Sequence, residues 1–145
     1  MSGADGPIIP DYQGANVRGI VPALLGPASW GTGLPAWMPD EVAGSRSVVL
    51  LVLDGLGWDQ LQDHRELMPT VSSMTGGPIH TVAPTTTATA LTSITTGLTP
   101  AEHGLIGYRI VLGGEIVNVL RWCVGDQPVR KSHPPADVQP YDPFL

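Results

Sequence analysis

The chain has 145 residues, of which 7 are Lys or Arg and 13 are Asp or Glu, and its formal net charge of −6 excludes the basic surface that binds a nucleic-acid backbone. This length suffices for one domain core and is too short for two. The apolar content of 42% and charged content of 14% exclude a highly charged disordered chain, while 18 Gly and 15 Pro predict short elements separated by many turns.

The sequence predicts a cytoplasmic protein that binds neither a membrane nor nucleic acid. The longest apolar run, Val48–Leu53, is far shorter than the roughly 20 residues that span a bilayer. The first residues, Met1–Asp5, lack the positive and apolar regions of a signal peptide. Cys123 is the single cysteine, which excludes an intrachain disulfide and a Cys-based metal cluster.

The first half of the chain predicts an arm, a strand and two helices. Residues 1–46 are rich in Gly, Pro and Ala, with one helical patch at Val17–Leu25, which indicates an arm that wraps around the domain. Ser47–Leu53 is a continuous run of β-branched residues and Leu, typical of a central strand buried on both faces. The helices predicted after it are Trp58–Arg65 and Leu67–Met74.

A second strand, Ile79–Ala83, precedes a predicted helix over Thr87–Leu98. Within this helix the spacing of the larger apolar residues is that of a buried stripe. The stripe consists of Leu91, Ile94 and Leu98.

The last part of the chain predicts a β-hairpin followed by a tail. Two apolar runs, Tyr108–Leu112 and Glu115–Leu120, flank Gly113-Gly114, which is a strong hairpin signal. From Cys123 the chain becomes polar and Pro-rich, as in a solvated tail. The predicted division is therefore an arm over 1–46, a main domain over 47–122 and a tail over 123–145.

The order of these elements predicts the fold class. Strand, helix, strand, helix and hairpin are typical of an α/β domain with a mainly parallel sheet flanked by helices. Only two parallel strands precede the hairpin, whereas a doubly wound sheet normally has about five or six strands. We therefore expect an incomplete sheet.

Asp54 is the first candidate functional residue. In open α/β sheets ligands bind beyond the carboxyl ends of the strands, and Asp54 follows the predicted strand Ser47–Leu53. A carboxylate followed by glycines suits a metal ion. A turn residue or the N-cap of the next helix fits the same position.

The second candidate is the Thr-rich segment Pro84–Thr89, where a strand end leads into a helix start. A helix N-terminus binds phosphate and favours a developing alkoxide. Thr87 lies four residues before Leu91, on the face predicted to meet the sheet, so its hydroxyl is the best placed. Thr85 or Thr86 as a simple N-cap is the plainer interpretation.

Asp54 and Thr87 make chemical sense as one unit. A neutral Thr hydroxyl is a poor nucleophile, but coordination to a divalent cation activates it at neutral pH.

Three segments together also resemble the alkaline phosphatase superfamily, and most closely its type I phosphodiesterase/nucleotide pyrophosphatase branch. They are Val48–Gly57, Pro84–Thr89 and Thr96–Leu105.

The resemblance implies an alkaline-phosphatase-like fold and a hydrolase of phosphodiester or pyrophosphate bonds in small, nucleotide-like substrates. It implies two divalent metal ions, zinc, with Asp54 and Thr87 among their ligands. Thr87 would be the nucleophile that forms a phospho-enzyme intermediate, with Thr86 and Ala88 as phosphate-binding residues. His103 corresponds to a His-Gly pair of the family that is structural.

Two departures from the family pattern change these expectations. Many members carry Asn three residues after the nucleophile, whereas this chain has Ala90, so substrate binding must differ or depend on backbone N–H groups. Further metal ligands of the family lie downstream of the matched segments. The tail offers only residues that we interpret as solvated, namely Asp126, His133, Asp137 and Asp142. We therefore expect the C-terminal part of the domain or a second subunit to supply the ligands, and the short chain to be inactive alone.

A second hypothesis is a non-catalytic module that binds phosphate or a nucleotide. It would use only the helix N-terminus at Thr85–Ala88 and no metal. A P-loop or dinucleotide-binding fold is disfavoured, because Gly55-Leu56-Gly57 lacks a third Gly in place and no Gly-Lys-Ser/Thr occurs.

Overall fold

The computed structural model describes residues 7–25 and 34–138. The chain divides into two compact units, one formed by 1–27 together with 79–145 and the other by 28–78. The first unit is therefore built from two separate stretches of sequence.

The regular elements are short, as the Gly and Pro content predicts. The helices are α1 (Ile20–Leu25), α2 (Trp58–Asp63), α3 (Pro69–Ser72), α4 (Thr87–Thr96), α5 (Pro100–His103) and α6 (Pro135–Val138). The strands are β1 (Arg109–Leu112), β2 (Glu115–Asn118), β3 (Cys123–Val124) and β4 (Gln127–Pro128). Single 3-10 turns cover Val17–Gly19, Asp40–Val42 and Arg65–Leu67. Within the described residues, no helix has the length and apolarity needed to cross a membrane.

Helix α4 is the longest helix that the structure describes, and its start agrees with the sequence prediction. Its buried face differs from the predicted stripe, because Leu91 is 39% exposed. Of the predicted stripe, Ile94 is buried, and mainly small and polar residues surround it on the buried face. The buried residues are Ala88, Thr89, Ser93, Ile94 and Thr96. The apolar spacing is wrong for Leu91 because close packing around α4 accepts small side chains and satisfies their hydroxyl groups.

The N-terminal residues are held against the start of the second stretch of the first unit. Asn16 forms a parallel bridge with His80, and its buried side-chain amide donates to the Thr81 carbonyl over 3.2 Å. The guanidinium group of Arg18 donates to the carbonyl of Gly97, the residue that ends α4, over 2.7 Å. Asn16 and Arg18 thus anchor the first part of the predicted arm, and the arm over 1–46 as a whole stays a prediction.

The four strands form an antiparallel sheet in the order β1-β2-β3-β4. The predicted hairpin is confirmed, with Val111 opposite Ile116. Gly113 and Gly114 have φ values of 56° and 85°, which is the left-handed pair that a two-residue hairpin turn favours. A Cβ atom on Gly113 would also lie 3.0 Å from the His133 ring, a tight contact that a small shift of the ring would have to relieve.

A small core covers one face of this sheet. Val117, Trp122 and Val129 are its buried residues. The Trp122 indole N–H donates to the His133 carbonyl over 2.6 Å. Residues 123–138, predicted to be a solvated tail, therefore contain β3, β4, α6 and part of a core. Residues 139–145 lie outside the described residues.

The structure corrects two predicted strands and does not confirm a mainly parallel sheet. Ser47–Leu53 forms no strand, and each residue of Val48–Leu53 is at least 38% exposed. Ile79–Ala83 contributes only the single bridge at His80. Periodicity identifies a segment suited to a strand, but a strand exists only where a neighbouring backbone accepts and donates the ladder hydrogen bonds. The division at residues 46 and 122 stays a prediction.

Candidate functional site

Asp54 lies in a β-turn directly after the apolar run. The Leu56 N–H donates to the Leu53 carbonyl over 3.2 Å, and Gly55 has a φ of 82°, as the third residue of a type II turn requires. The N-cap of α2 is Gly57, so the N-cap interpretation of Asp54 is wrong and the turn interpretation is confirmed. The side chain of Asp54 is exposed.

Thr87 is the first residue of α4 and is half-buried. The preceding residue, Thr86, occupies the N-cap position without a side-chain capping bond. Its hydroxyl instead bonds the hydroxyl of Thr89 over 2.8 Å. Thr87 thus lies at the positive end of the helix, as the sequence predicts. Asp54 and Thr87 belong to different units, so their pairing stays a prediction.

The first turn of α4 keeps backbone donors available. Within the described residues no acceptor bonds the N–H of Ala88 or Thr89, and the first helical bond runs from the Ala90 N–H to the Thr86 carbonyl over 2.9 Å. Unpaired N–H groups at a helix start attract an anionic oxygen. Ala88 was predicted to provide this chemistry together with Thr86, whose own N–H is bonded to the Pro84 carbonyl over 2.9 Å, and phosphate binding at these residues stays a prediction.

A buried Ser–His pair secures the second half of α4. The Ser93 hydroxyl lies 2.9 Å from His103 Nε2, and both side chains are at most 3% exposed. The Leu105 N–H donates to His103 Nδ1 over 3.1 Å, so Nδ1 is the acceptor and the neutral ring carries its proton on Nε2. His103 therefore donates to Ser93, which is the wrong direction for a base that activates a nucleophile. The pair is structural.

Burial lowers the pKa of His103 below its usual value of 6.5, because desolvation disfavours the imidazolium, and the nearby Glu102 carboxylate opposes this shift. Glu102 itself belongs to a capping box at the start of α5. Its carboxylate accepts the Thr99 N–H over 2.7 Å and the Thr99 hydroxyl over 2.8 Å. These two bonds lower the pKa of Glu102.

Replacing Ser93 with Ala should lower the free energy of unfolding by about 1–3 kcal/mol, because the buried His103 Nε2–H loses its acceptor. Urea unfolding followed by circular dichroism measures this loss. Ser132→Ala is the matched control, since Ser132 is exposed and its hydroxyl bond to the Val129 carbonyl is long at 3.3 Å. Equal losses in the two variants would show that the pair contributes nothing specific.

The lowered pKa of His103 predicts a pH dependence of stability. Below about pH 6.5 the unfolded chain binds more protons at this residue than the folded chain does, so the free energy of unfolding should fall as the pH falls. Above that pH the contribution is fully present. Urea unfolding between pH 8 and pH 5 measures it, with His103→Gln as the control because an amide donates without titrating. An unchanged pH dependence in His103→Gln would contradict the prediction.

Within the described residues, no further metal-binding side chains complete a site with the predicted ligands Asp54 and Thr87. Within the ranges that the structure describes, no group of three or more His, Cys, Asp or Glu residues is placed to hold a metal ion. His133 lies 3.2 Å from Glu115 at the hairpin instead, and Asp126 and Asp137 are exposed. Asp142 lies outside the described residues. One carboxylate and one hydroxyl do not fit a zinc site, which takes three or four protein ligands.

Sequence reasoning gave His103 a structural role but missed its partner Ser93 and the contact of Arg18 with Gly97. Ser93 lies ten positions from His103 and Arg18 lies 79 positions from Gly97, separations that no helical or strand period relates. A Thr/Ser-rich helix with few apolar residues was the available signal, because such a helix needs polar partners when buried.

Comparison with known proteins identifies the family. No curated protein and no solved structure matches the chain significantly. The family model of type I phosphodiesterase/nucleotide pyrophosphatase matches residues 48–129, more than half of the chain. The match includes Asp54, the start of α4, the Ser93–His103 pair and the hairpin. The chain therefore belongs to the type I phosphodiesterase/nucleotide pyrophosphatase family.

Proposed function

We propose that this chain carries the nucleophile of a hydrolase that acts on phosphodiester or pyrophosphate bonds in small, nucleotide-like substrates. The observation that carries the proposal is the position of Thr87 at the first residue of α4, inside the family match. The coarse activity follows from the family. The roles of individual residues are the proposed part.

In the proposed reaction the Thr87 oxygen attacks phosphorus. A new bond joins Oγ1 to phosphorus, the bond from phosphorus to the leaving oxygen breaks, and the hydroxyl proton passes through solvent to that oxygen, which departs with the first product. Water then attacks the phospho-threonine, restores the hydroxyl and releases the phosphate product. Both steps add negative charge near the N-terminus of α4, where the helix dipole and the N–H groups of Ala88 and Thr89 stabilise it.

The cofactor in this proposal is a pair of divalent metal ions, zinc, which would activate the hydroxyl. Asp54 and Thr87 are the proposed ligands from this chain. The donor set of the described residues does not complete such a site, so no step above depends on a metal. The C-terminal part of the domain or a second subunit is the proposed source of the other ligands.

The 145-residue chain alone should therefore bind zinc only weakly and show no phosphodiesterase activity above that of Thr87→Ala. Calorimetric titration with zinc and hydrolysis of a chromogenic bis-aryl phosphodiester in added zinc measure the two properties. Turnover that exceeds the variant and is lost on chelation would contradict this expectation and show that the chain, or an assembly of it, supplies the ligands.

A non-catalytic phosphate- or nucleotide-binding module is the second candidate. The unpaired N–H groups of Ala88 and Thr89 favour it, because they bind an anion without a metal. Calorimetry with a nucleotide, with and without a chelator, separates the candidates. Binding that survives chelation supports the module, binding lost on chelation supports the hydrolase, and absence of binding excludes the module.

A further inference from the structure

Helix α4 is packed mainly through small side chains. Ile94 is the one large apolar residue among the buried residues of this helix, and a helix is located by side chains that interdigitate with its neighbours. Three of its hydroxyl groups donate to carbonyls of the same helix instead of to neighbouring elements. They run from Thr92 to Ala88, from Thr95 to Leu91 and from Thr96 to Thr92, over 2.6–2.9 Å. Polar contacts at the helix ends therefore matter for its position.

The Arg18 guanidinium connects the C-terminal end of α4 to the N-terminal segment. Its Nη1 donates to the Gly97 carbonyl and its Nε donates to the Tyr12 carbonyl, each over 2.7 Å. Gly97 is the C-cap of α4, where a positive charge also favours the negative end of the helix dipole. Because a planar guanidinium holds its acceptors in fixed directions, Arg18 fixes Tyr12 relative to this end of the helix.

Tyr12 in turn contacts the segment that leads into the start of α4. Its hydroxyl oxygen accepts the Ala83 N–H over 3.1 Å, and Ala83 precedes Thr87 by four residues. A continuous series of contacts therefore runs from the end of α4 through Arg18 and Tyr12 to the segment before its first residue.

We propose that Arg18 and Tyr12 are positioning residues for the hydrolysis, because they fix α4 along its axis and thereby fix where its first turn presents Thr87. The inference rests on the proposed role of Thr87 as the nucleophile. Arg18 acts at a distance, since Gly97 lies ten residues along the helix from Thr87, which corresponds to about 15 Å. Misplacing a nucleophile by about 1 Å can cost on the order of 10²-fold in rate, so a small shift of the helix has a large effect.

Amide hydrogen exchange of the 145-residue chain, followed by NMR, tests the connection and requires no catalytic activity. Arg18→Met keeps a long, unbranched side chain but removes both donors. It should accelerate exchange of the Ala83 and Ala90 N–H groups by at least about tenfold. It should also accelerate exchange of the Gly97 N–H at the other end of the helix. Circular dichroism checks that the variant is folded.

Two further variants separate the parts of this connection. Tyr12→Phe removes only the hydroxyl, so it should accelerate exchange at Ala83 and Ala90 and leave Gly97 unchanged. Trp122→Phe is the matched control, because it removes one hydrogen bond from the sheet core of the same unit. It should leave exchange unchanged at all three positions.

Kinetics test the consequence for the reaction in a form of the protein that turns over a bis-aryl phosphodiester. Arg18→Met should lower kcat by at least about tenfold while KM changes by less than about twofold, because substrate contacts are retained and alignment is lost. Arg18→Lys keeps the charge, but a single ammonium group does not reproduce the guanidinium fork, so it should restore little of the loss.

Several results would overturn the proposal. Unchanged exchange at Ala83 and Ala90 in Arg18→Met would make Arg18 a cap of the helix end only. Equal acceleration in Trp122→Phe would assign the effect to a general loss of stability, and full recovery in Arg18→Lys would assign it to charge. An unchanged kcat in Arg18→Met would exclude the positioning role. If Thr87→Ala stayed active, the proposed function would fail, whereas the exchange results would still stand.

Discussion

In a form of the protein that turns over a bis-aryl phosphodiester, Thr87→Ala should lower kcat by about 10³-fold or more. The variant removes the atom that is proposed to bond phosphorus, so no covalent intermediate can form. Metal content should be nearly unchanged, because carboxylates and imidazoles hold most of such a coordination shell. Steady-state kinetics and metal analysis of the same preparation measure the two effects.

Two variants serve as controls for this result. Thr86→Ala should be mild, since among the residues that the structure describes the Thr86 hydroxyl bonds only Thr89, and it does not cap α4. Thr87→Ser should retain part of the activity because it keeps a hydroxyl at the start of the helix. If Thr86 were essential and Thr87 dispensable, the nucleophile would be one residue earlier than proposed.

Trp122→Ala should lower the free energy of unfolding by about 3–5 kcal/mol, the usual loss when a large buried aromatic side chain is removed. Trp122 is 7% exposed between Val117 and Val129. Its φ of 55° is unfavourable for any residue with a Cβ atom, so alanine keeps the strain and loses the packing. Urea unfolding followed by circular dichroism measures the change.

Trp122→Phe separates the packing from the hydrogen bond. Phenylalanine retains most of the buried surface but leaves the His133 carbonyl without the indole N–H, which should cost about 1–2 kcal/mol. If the free energy of unfolding fell no further in Trp122→Ala than in Trp122→Phe, packing in the small core of Val117, Trp122 and Val129 would contribute little to stability.

The elements that sequence predicted well depend on local chemistry. Gly113-Gly114 defines the hairpin because the turn itself requires two positive φ values. Helix α4 begins at Thr87 as predicted, since Pro84 and the Thr residues before it favour a helix start. In both cases the determining residues lie within a few positions of the element.

The failures depend on distant partners. Ser47–Leu53 has the composition of a buried strand, but no strand in the described chain pairs with it. Val129 packs against Val117 of the hairpin although its segment, predicted as the tail 123–145, has the composition of a solvated tail. Likewise, the position of Thr87 and the structural role of His103 were predicted from the sequence, whereas the bond of His103 to Ser93 and that of Arg18 to Gly97 join residues that no local pattern relates.

The contacts of Asn16 and Arg18 bear on how the chain acquires its fold during synthesis. They join residues separated by 65 and 79 positions, so the N-terminal residues leave the ribosome well before their partners exist. Closing so long a loop is an entropic cost, but doubling its length would add only about 0.6 kcal/mol. The first unit should therefore best tolerate an inserted sequence in the stretch between residues 27 and 79. The first unit itself cannot finish folding until Gly97 has been synthesised.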